Sequence, residues 1–342
     1  MPRRSAIQPV ERYELGRSPL AQKPTQRQLA ELVGLKRDEL RALATHHDSW
    51  IVRRDEIING KLRHLAYPRG KLRRVHELLK FHLRKIKQPD YLYSPRKGRS
   101  QRDNAARHLG RQQFLTLDLK QFYPSTTRKH IYRWAREELG MFDDVAGLFV
   151  RLATVDGIAS FGSPLTPVLA TLVHRKMFDA IADACGRRGL RISVWVDNFT
   201  ISGNFVPGEL VRDIREIIRM HGLKSHEFCY LTGNRRVAVT GVIVDRQELH
   251  ASRTVHERIR YSYESLSMVT NDAEAETIIN RILSALGTLR YIVGKSGVAG
   301  KKAADRMNAL RQRRARLVPA TIAARVPALS NSAYNNEEPP WS

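Results

Sequence analysis

The stretch Arg191-Ile-Ser-Val-Trp-Val-Asp-Asn-Phe-Thr-Ile-Ser-Gly203 constrains the fold of this chain more than any other. Two alternating apolar runs meet at Asp197-Asn198, a dipeptide suited to a tight hairpin turn. On the first run Ile192, Val194 and Val196 share one face, which leaves Ser193, Trp195 and Asp197 on the other. A carboxylate raised on a rigid tip between two buried strands has few structural uses, because an unpaired charge is costly to desolvate. The pattern predicts an antiparallel hairpin and a chemical role for Asp197.

Charge narrows the partner. Lys and Arg number 59 against 34 Asp and Glu, a formal net charge of +25. An excess of this size favours a polyanion, through counterion release. A membrane surface is the competing partner, but no run approaches 18 apolar residues and no signal-peptide core follows the basic start. Nucleic acid is therefore expected and membrane is not. The two cysteines, Cys185 and Cys229, have neither metal-type spacing nor a partner framework, and fit a reducing cytoplasm. No His/Cys cluster with zinc spacing occurs among the 12 histidines.

The chain divides by pattern. Residues 1–24 are basic and read as an N-terminal arm or loosely ordered lead-in. From Thr25, Leu29, Leu32, Leu35, Leu40 and Leu43 recur near helical spacing around Gly34, as a helix-turn-helix or as two short helices packed on a larger domain. A basic helix follows Pro68-Arg69-Gly70, with Leu72, Val75, Leu78, Leu79, His82 and Leu83 as its apolar stripe. Arg73 and Arg74 lie among its cations, and the run recurs at Arg96-Lys97-Gly-Arg99, which predicts a phosphate-tracking surface. A strand is expected over Phe114–Leu119, with Ser125 or Thr126 capping the next helix. Pro167 opens another helix that carries Leu169, Leu172, Val173, Phe178 and Ile181. A second hairpin pattern runs from Arg236 to Val244 and turns near Asp245. From Arg253 the pattern is helical and basic, and the tail after Pro319 reads as flexible. Irregular alternation of helices and strands predicts α+β with an antiparallel sheet.

Asp118 sits on the strand face opposite Leu115, Leu117 and Leu119. With Asp197 it could form a two-carboxylate site, in which only cations would let both groups stay ionised. Two Mg2+ ions, with Mn2+ as the substitute, would then activate a 3′-hydroxyl and steady a leaving pyrophosphate, with the Leu119 carbonyl as a further oxygen ligand. Spacing alone leaves open two unrelated surface or turn aspartates.

Leu117-Asp-Leu-Lys-Gln-Phe-Tyr-Pro-Ser125 resembles the first catalytic motif of bacterial reverse transcriptases. Gly162-Ser-Pro-Leu-Thr-Pro167 resembles their Gly-x-Pro-x-Ser-Pro motif, and Trp195-Val-Asp-Asn198 stands where they carry Tyr-x-Asp-Asp. Asn104-Ala-Ala-Arg-His108 and Val239-Thr-Gly241 are similar to signatures of the retron-type branch, and Arg63-His-Leu-Ala-Tyr-Pro68 resembles the start of its fingers. The resemblance covers roughly residues 28 to 310. It implies a right-hand polymerase: N-terminal helices and fingers over 25–113, a palm over 114–250 with finger elements around 125–165, a helical thumb over 251–318, and a tail over 319–342.

The resemblance also implies roles. Asp118 and Asp197 would hold metal, with Asn198 as the third member of the catalytic group. Tyr123 would lie under the incoming sugar as a steric gate. Lys61 and Arg63 would grip the dNTP triphosphate, and Gly162 and Pro164 would shape the nucleotide pocket. Arg73, Arg74, Arg99, Thr240 and Gly241 would contact nucleic acid, while Asn104 and His108 would either contact RNA or brace the palm. The implied partners are a structured noncoding RNA, its DNA product and a separate effector protein, with antiphage defence as the setting and an RNA 2′-hydroxyl as primer.

Four positions depart from the family pattern. Asn198 replaces the second acid, Phe161 stands where Gln is common, and Thr171 stands where Asn is common. The Lys expected after the 209–221 helix is replaced around Phe228-Cys229-Tyr230, with Lys224 or His226 as substitutes. These departures leave two alternatives: an RNA-binding scaffold with an impaired polymerase site, and a defence-associated reverse transcriptase with non-standard templating.

Overall fold

The computed structural model describes residues 11–58, 60–226, 228–232 and 236–317, without the side chains of residues 58 and 61. Residues 1–10 of the expected arm and the tail expected over 319–342 lie outside the described residues. The remainder of the lead-in is packed rather than loose. Leu20 is fully buried, and the Tyr13 hydroxyl donates to the His82 carbonyl at 2.7 Å.

Thr25 starts α1 (Gln26–Leu32) by a capping box, its hydroxyl accepting from Gln28 N and its own N–H donating to Gln28 Oε1. Gly34, at φ +68°, turns the chain into α2 (Arg37–Thr45). Next come β1 (Ile51–Ile58) and β2 (Lys61–Pro68), antiparallel from Ile51↔Pro68 to Ile58↔Lys61. The sequence did not suggest these strands, because charged and apolar residues do not alternate in Val52-Arg-Arg-Asp-Glu-Ile57. In α3 (Gly70–Leu83), Leu72, Val75, Leu79 and Leu83 are buried with Leu29, Leu40 and Leu43 of the first two helices. The helix pair is thus a packing element of a larger unit.

A short β3 (Leu92–Ser94) and α4 (Gln101–Ala106) lead to β4 (Gln113–Asp118). One turn of helix, α5 (Phe122–Ser125), precedes α6 (Arg128–Glu137). The side chain that caps α6 is Thr127, paired with His130, rather than Ser125 or Thr126; those residues are used by α5 and its end. α7 (Asp143–Ala153) packs on α6. The expected single helix from Pro167 is two, α8 (Thr166–Val173) and α9 (Arg175–Gly186), broken at His174.

The hairpin of the opening argument forms as β5 (Arg191–Trp195) and β6 (Asn198–Gly203). Trp195 pairs with Asn198, so the central turn residues are Val196-Asp197, one position earlier than Asp197-Asn198. After α10 (Glu209–Met220), β7 (Cys229–Thr232) completes a five-stranded sheet ordered β3-β5-β6-β4-β7. Only the β3–β5 pair is parallel. One face of this sheet packs Leu115, Leu117, Ile192, Val194, Phe199 and Ile201 against Phe178 and Ile181 of α9 and Ile214 and Ile218 of α10.

The second hairpin pattern is a three-stranded meander, β8 (Val237–Val239), β9 (Val242–Asp245) and β10 (Glu248–Ala251). Its first turn is Thr240-Gly241, both at positive φ (+47° and +84°), so Thr240 is a turn residue rather than a strand residue. The last unit is helical: α11 (Arg253–Met268), α12 (Asp272–Val293) and α13 (Val298–Leu317), with Ile278, Ile279, Ile282, Leu286 and Leu310 at its centre. Among the described residues no helix is long and apolar enough to cross a membrane.

Candidate active site

Asp118 ends β4 directly opposite Asn198. The Leu119 N–H donates to the Asp197 carbonyl at 3.0 Å, which makes Asp118–Asn198 a narrow antiparallel pair, about 4.5 Å between Cα atoms. Register alone therefore gathers Asp118, Asp197 and Asn198 at one end of the sheet. Val196 turns the chain there at φ +59°, a conformation that a β-branched residue rarely adopts. The Asn198 amide donates to Asp197 Oδ1 at 3.0 Å. Burial, with the nearby Asp118 charge adding to it, pushes the Asp197 carboxyl above the ordinary carboxylate range; its own backbone N–H, Asn198 and Arg63 act the other way.

The wall beside this tip is aromatic. Tyr123, on α5, meets Phe161 edge to face with ring centroids 5.4 Å apart, and the Arg63 guanidinium lies 5.4 Å from the Phe161 centroid. Burial and the Asp197 charge hold the Tyr123 hydroxyl firmly in its neutral form. The loop that carries Phe161 is tied to the first unit at two points. The Ala66 N–H donates to the Phe161 carbonyl at 3.2 Å, and Ser163 Oγ lies 2.7 Å from His76 Nδ1. His76 is fully buried and its other ring nitrogen is 2.7 Å from the Leu152 carbonyl. Gly162 adopts φ +93°, and a Cβ there would sit 3.2 Å from Tyr67 Cβ and Cδ1. Pro164 follows in the same loop, half-buried. The strap through His76 and Ser163 was not foreseen; its signal was a histidine on the apolar face of a helix.

The donor set suits a hard cation. It offers two carboxylates from adjacent strands, one of them desolvated beside the other, and the Leu119 carbonyl follows directly. Among the described residues no group of three or more His, Cys, Asp or Glu gathers as a metal site. Remaining oxygens would come from substrate phosphates and water, which is the way Mg2+ is usually held. On the far side of Asp118, residues 224–226 pair with residues 118–120: the His226 N–H donates to the Asp118 carbonyl at 2.8 Å, and its Nε2 lies 3.9 Å from Asp118 Oδ2. Lys224 contributes its carbonyl to Lys120 N at 2.7 Å. Thr171 is buried and donates to the Pro167 carbonyl at 2.8 Å.

Other predicted residues lie elsewhere. Arg73 and Arg74 are exposed on α3. Arg99 is engaged within the chain, 3.3 Å from Asp90 and 5.2 Å from the Tyr93 ring centre. Lys61 is in β2, its side chain outside the description. Asn104 is buried and donates to Thr240 Oγ1 at 3.0 Å, joining α4 to the meander turn; Gly241 beside it is exposed. His108 is buried between β5 and β6, with Nε2 2.8 Å from Ser193 Oγ and Nδ1 2.6 Å from Ser202 Oγ. Both side chains are buried and bonded within the chain, tying α4 to the meander and the segment after it to β5 and β6.

No protein-family model matches the chain. It is similar to the retron Ec86 reverse transcriptase of Escherichia coli, 26% identical over 162 residues, which are 46% of this chain and 50% of that protein. It is 25% identical to the retron Se72 reverse transcriptase of Salmonella heidelberg over 43% of this chain and 39% of that protein. It is 28% identical to the retron Mx65 reverse transcriptase of Myxococcus xanthus over 57% of this chain and 49% of that protein. The chain thus spans half or less of the length of these curated relatives.

Proposed function

We propose, from its similarity to the retron reverse transcriptases, that this chain is an RNA-directed DNA polymerase that copies a structured noncoding RNA. The observation that carries the reading is the convergence of Asp118 and Asp197 at one sheet end, walled by Tyr123, Phe161 and Arg63. In this reading the units around α1–α3 and α6–α7 act as fingers, the five-stranded sheet as palm, and α11–α13 as thumb. Bound Mg2+ would supply charge compensation for the two carboxylates and for the phosphates of an incoming dNTP. Asp118 and Asp197 would hold it. Arg63 would meet the triphosphate, and Tyr123, rigid and neutral, would close the space below C2′ and so select deoxyribose. Gly162 keeps the loop low enough for a nucleotide to lie against it.

Purified protein with co-purified RNA, dNTPs and Mg2+ is expected to make labelled DNA, and Asp118→Ala and Asp197→Ala to make none. Equal synthesis by parent and variants would sink the assignment. Tyr123→Ala is expected to admit ribonucleotides. Antiphage defence, a separate effector protein and priming from an RNA 2′-hydroxyl belong to the same proposal through the family likeness.

Asn198 favours a second reading, an RNA-binding scaffold with an impaired site. Asn198→Asp separates the two: a scaffold stays silent before and after, whereas a polymerase changes its rate or its metal requirement.

A further inference from the structure

Three arginines meet at the end of the five-stranded sheet away from Asp197. Arg107 follows α4, Arg111 precedes β4, and Arg191 is the first residue of β5. Arg107 Nε donates to the Ile192 carbonyl at 2.7 Å, and Arg191 Nη1 donates to the Arg107 carbonyl at 2.9 Å. Each guanidinium is thereby fixed on backbone next to the other's residue. Arg111 Nε is buried and has no hydrogen-bond partner among the described residues. The charges acting on Arg191 are those of Arg111 and Arg107, and no carboxylate is among them; burial, then these two neighbours, lower its pKa. The acid nearest Arg107 in sequence, Asp103, is occupied by the Ser100 hydroxyl at 2.7 Å. Beneath the cluster, neutral His108 locks the two strands together and adds no compensating charge.

Holding three like charges together with no counter-ion among the described residues costs energy, and an anion is what recovers it. Planar guanidiniums with free donors match phosphate oxygens in pairs. By strand alternation Arg191 shares the face of Ser193 and Trp195, opposite the helix-packed face. Five residues of extended chain, roughly 17 Å, separate it from the tip at Val196.

We propose that Arg107, Arg111 and Arg191 form a clamp for the phosphodiester backbone of the RNA–DNA hybrid, about 17 Å behind the catalytic tip. The clamp rests on the polymerase reading. Its position predicts a length threshold. At about 3.4 Å per base pair, a hybrid of about four pairs ends short of the clamp and one of about fourteen passes it.

The test uses the full chain and hairpin primer–templates with short or long hybrid stems, titrated at several salt concentrations. Arg111→Gln and Arg191→Gln are each expected to weaken binding of the long stem about fivefold to tenfold and to reduce the salt slope by about one. Binding and extension of the short stem are expected to stay at the parent level, which also reports an intact fold. Arg111→Lys should restore part of the long-stem affinity. Unchanged long-stem affinity and slope would overturn the clamp, as would losses confined to single-stranded RNA of equal length. If the parent extends neither stem, the polymerase reading fails by a separate readout, while the affinities still decide whether the three arginines bind nucleic acid.

Discussion

The Asn198 side-chain amide donates a hydrogen bond to Asp197 Oδ1 across 3.0 Å at the hairpin tip. The tip thus places a donor beside Asp197, which is partly satisfied without metal. Asn198→Asp would replace that hydrogen bond with a third negative charge beside Asp118 and Asp197. Because the position is exposed, the expected cost in EDTA is about 1 kcal/mol. Mg2+ should restore the loss, and the substitution should lower the Mg2+ concentration needed for half-maximal DNA synthesis. Thermal melts with and without Mg2+, and a Mg2+ titration of activity, check both halves.

Asp197→Asn should behave oppositely. Burial and Asp118 raise the Asp197 carboxyl above its ordinary value, so its ionised form costs stability at all pH values above that range. The neutral amide removes the cost. Metal-free Asp197→Asn is expected to melt at or above the parent temperature, with a gain of up to about 1 kcal/mol, while losing DNA synthesis. A lower melting temperature in EDTA would contradict this account of the site.

Three of the buried histidines, His76, His108 and His174, set an acid limit. Burial is the main cause in each case, lowering His76 to about 4 and His108 and His174 to about 3. Unfolded, each titrates near 6.5. Their folded-state pKa values are depressed, so their contribution is full above pH 6.5 and is lost as pH falls toward 4. Each adds up to about 1.4 kcal/mol per pH unit to the slope. Urea unfolding at pH 7.5 and 5.0 should differ by a few kcal/mol, and His108→Gln should shrink the difference.

Gly162→Ala should damage the nucleotide wall. The position needs a positive φ, and the added methyl would press on Tyr67 at 3.2 Å. The expected loss is about 1–2 kcal/mol of stability, with a larger rise in KM for dNTP than fall in kcat. Denaturant titration and steady-state kinetics separate the two effects.

The hairpin, the Asp118 strand and the basic helix were legible because their apolar periodicity matches the burial the fold imposes. The turn at Val196-Asp197 was not, since Asn198 looked like the better turn former and strand pairing overrode that preference. The β1–β2 strands escaped notice because they are mostly exposed and lack alternation. His76 was hidden for a different reason: a buried neutral histidine is chosen by a partner distant in sequence, here Ser163; His108 stood out through the Asn104–His108 motif, but its partners Ser193 and Ser202 did not.

The wall loop hangs from the first unit by the Ala66–Phe161 and His76–Ser163 bonds, while the carboxylates stand on the sheet. The same loop is also held from the sheet side, by the Ala159 N–H donating to the Thr126 carbonyl at 2.9 Å and by the Tyr123–Phe161 contact. In the polymerase reading, the nucleotide wall and the metal-holding pair therefore answer to different tethers, so a change at Ser163 would alter dNTP affinity more than metal binding.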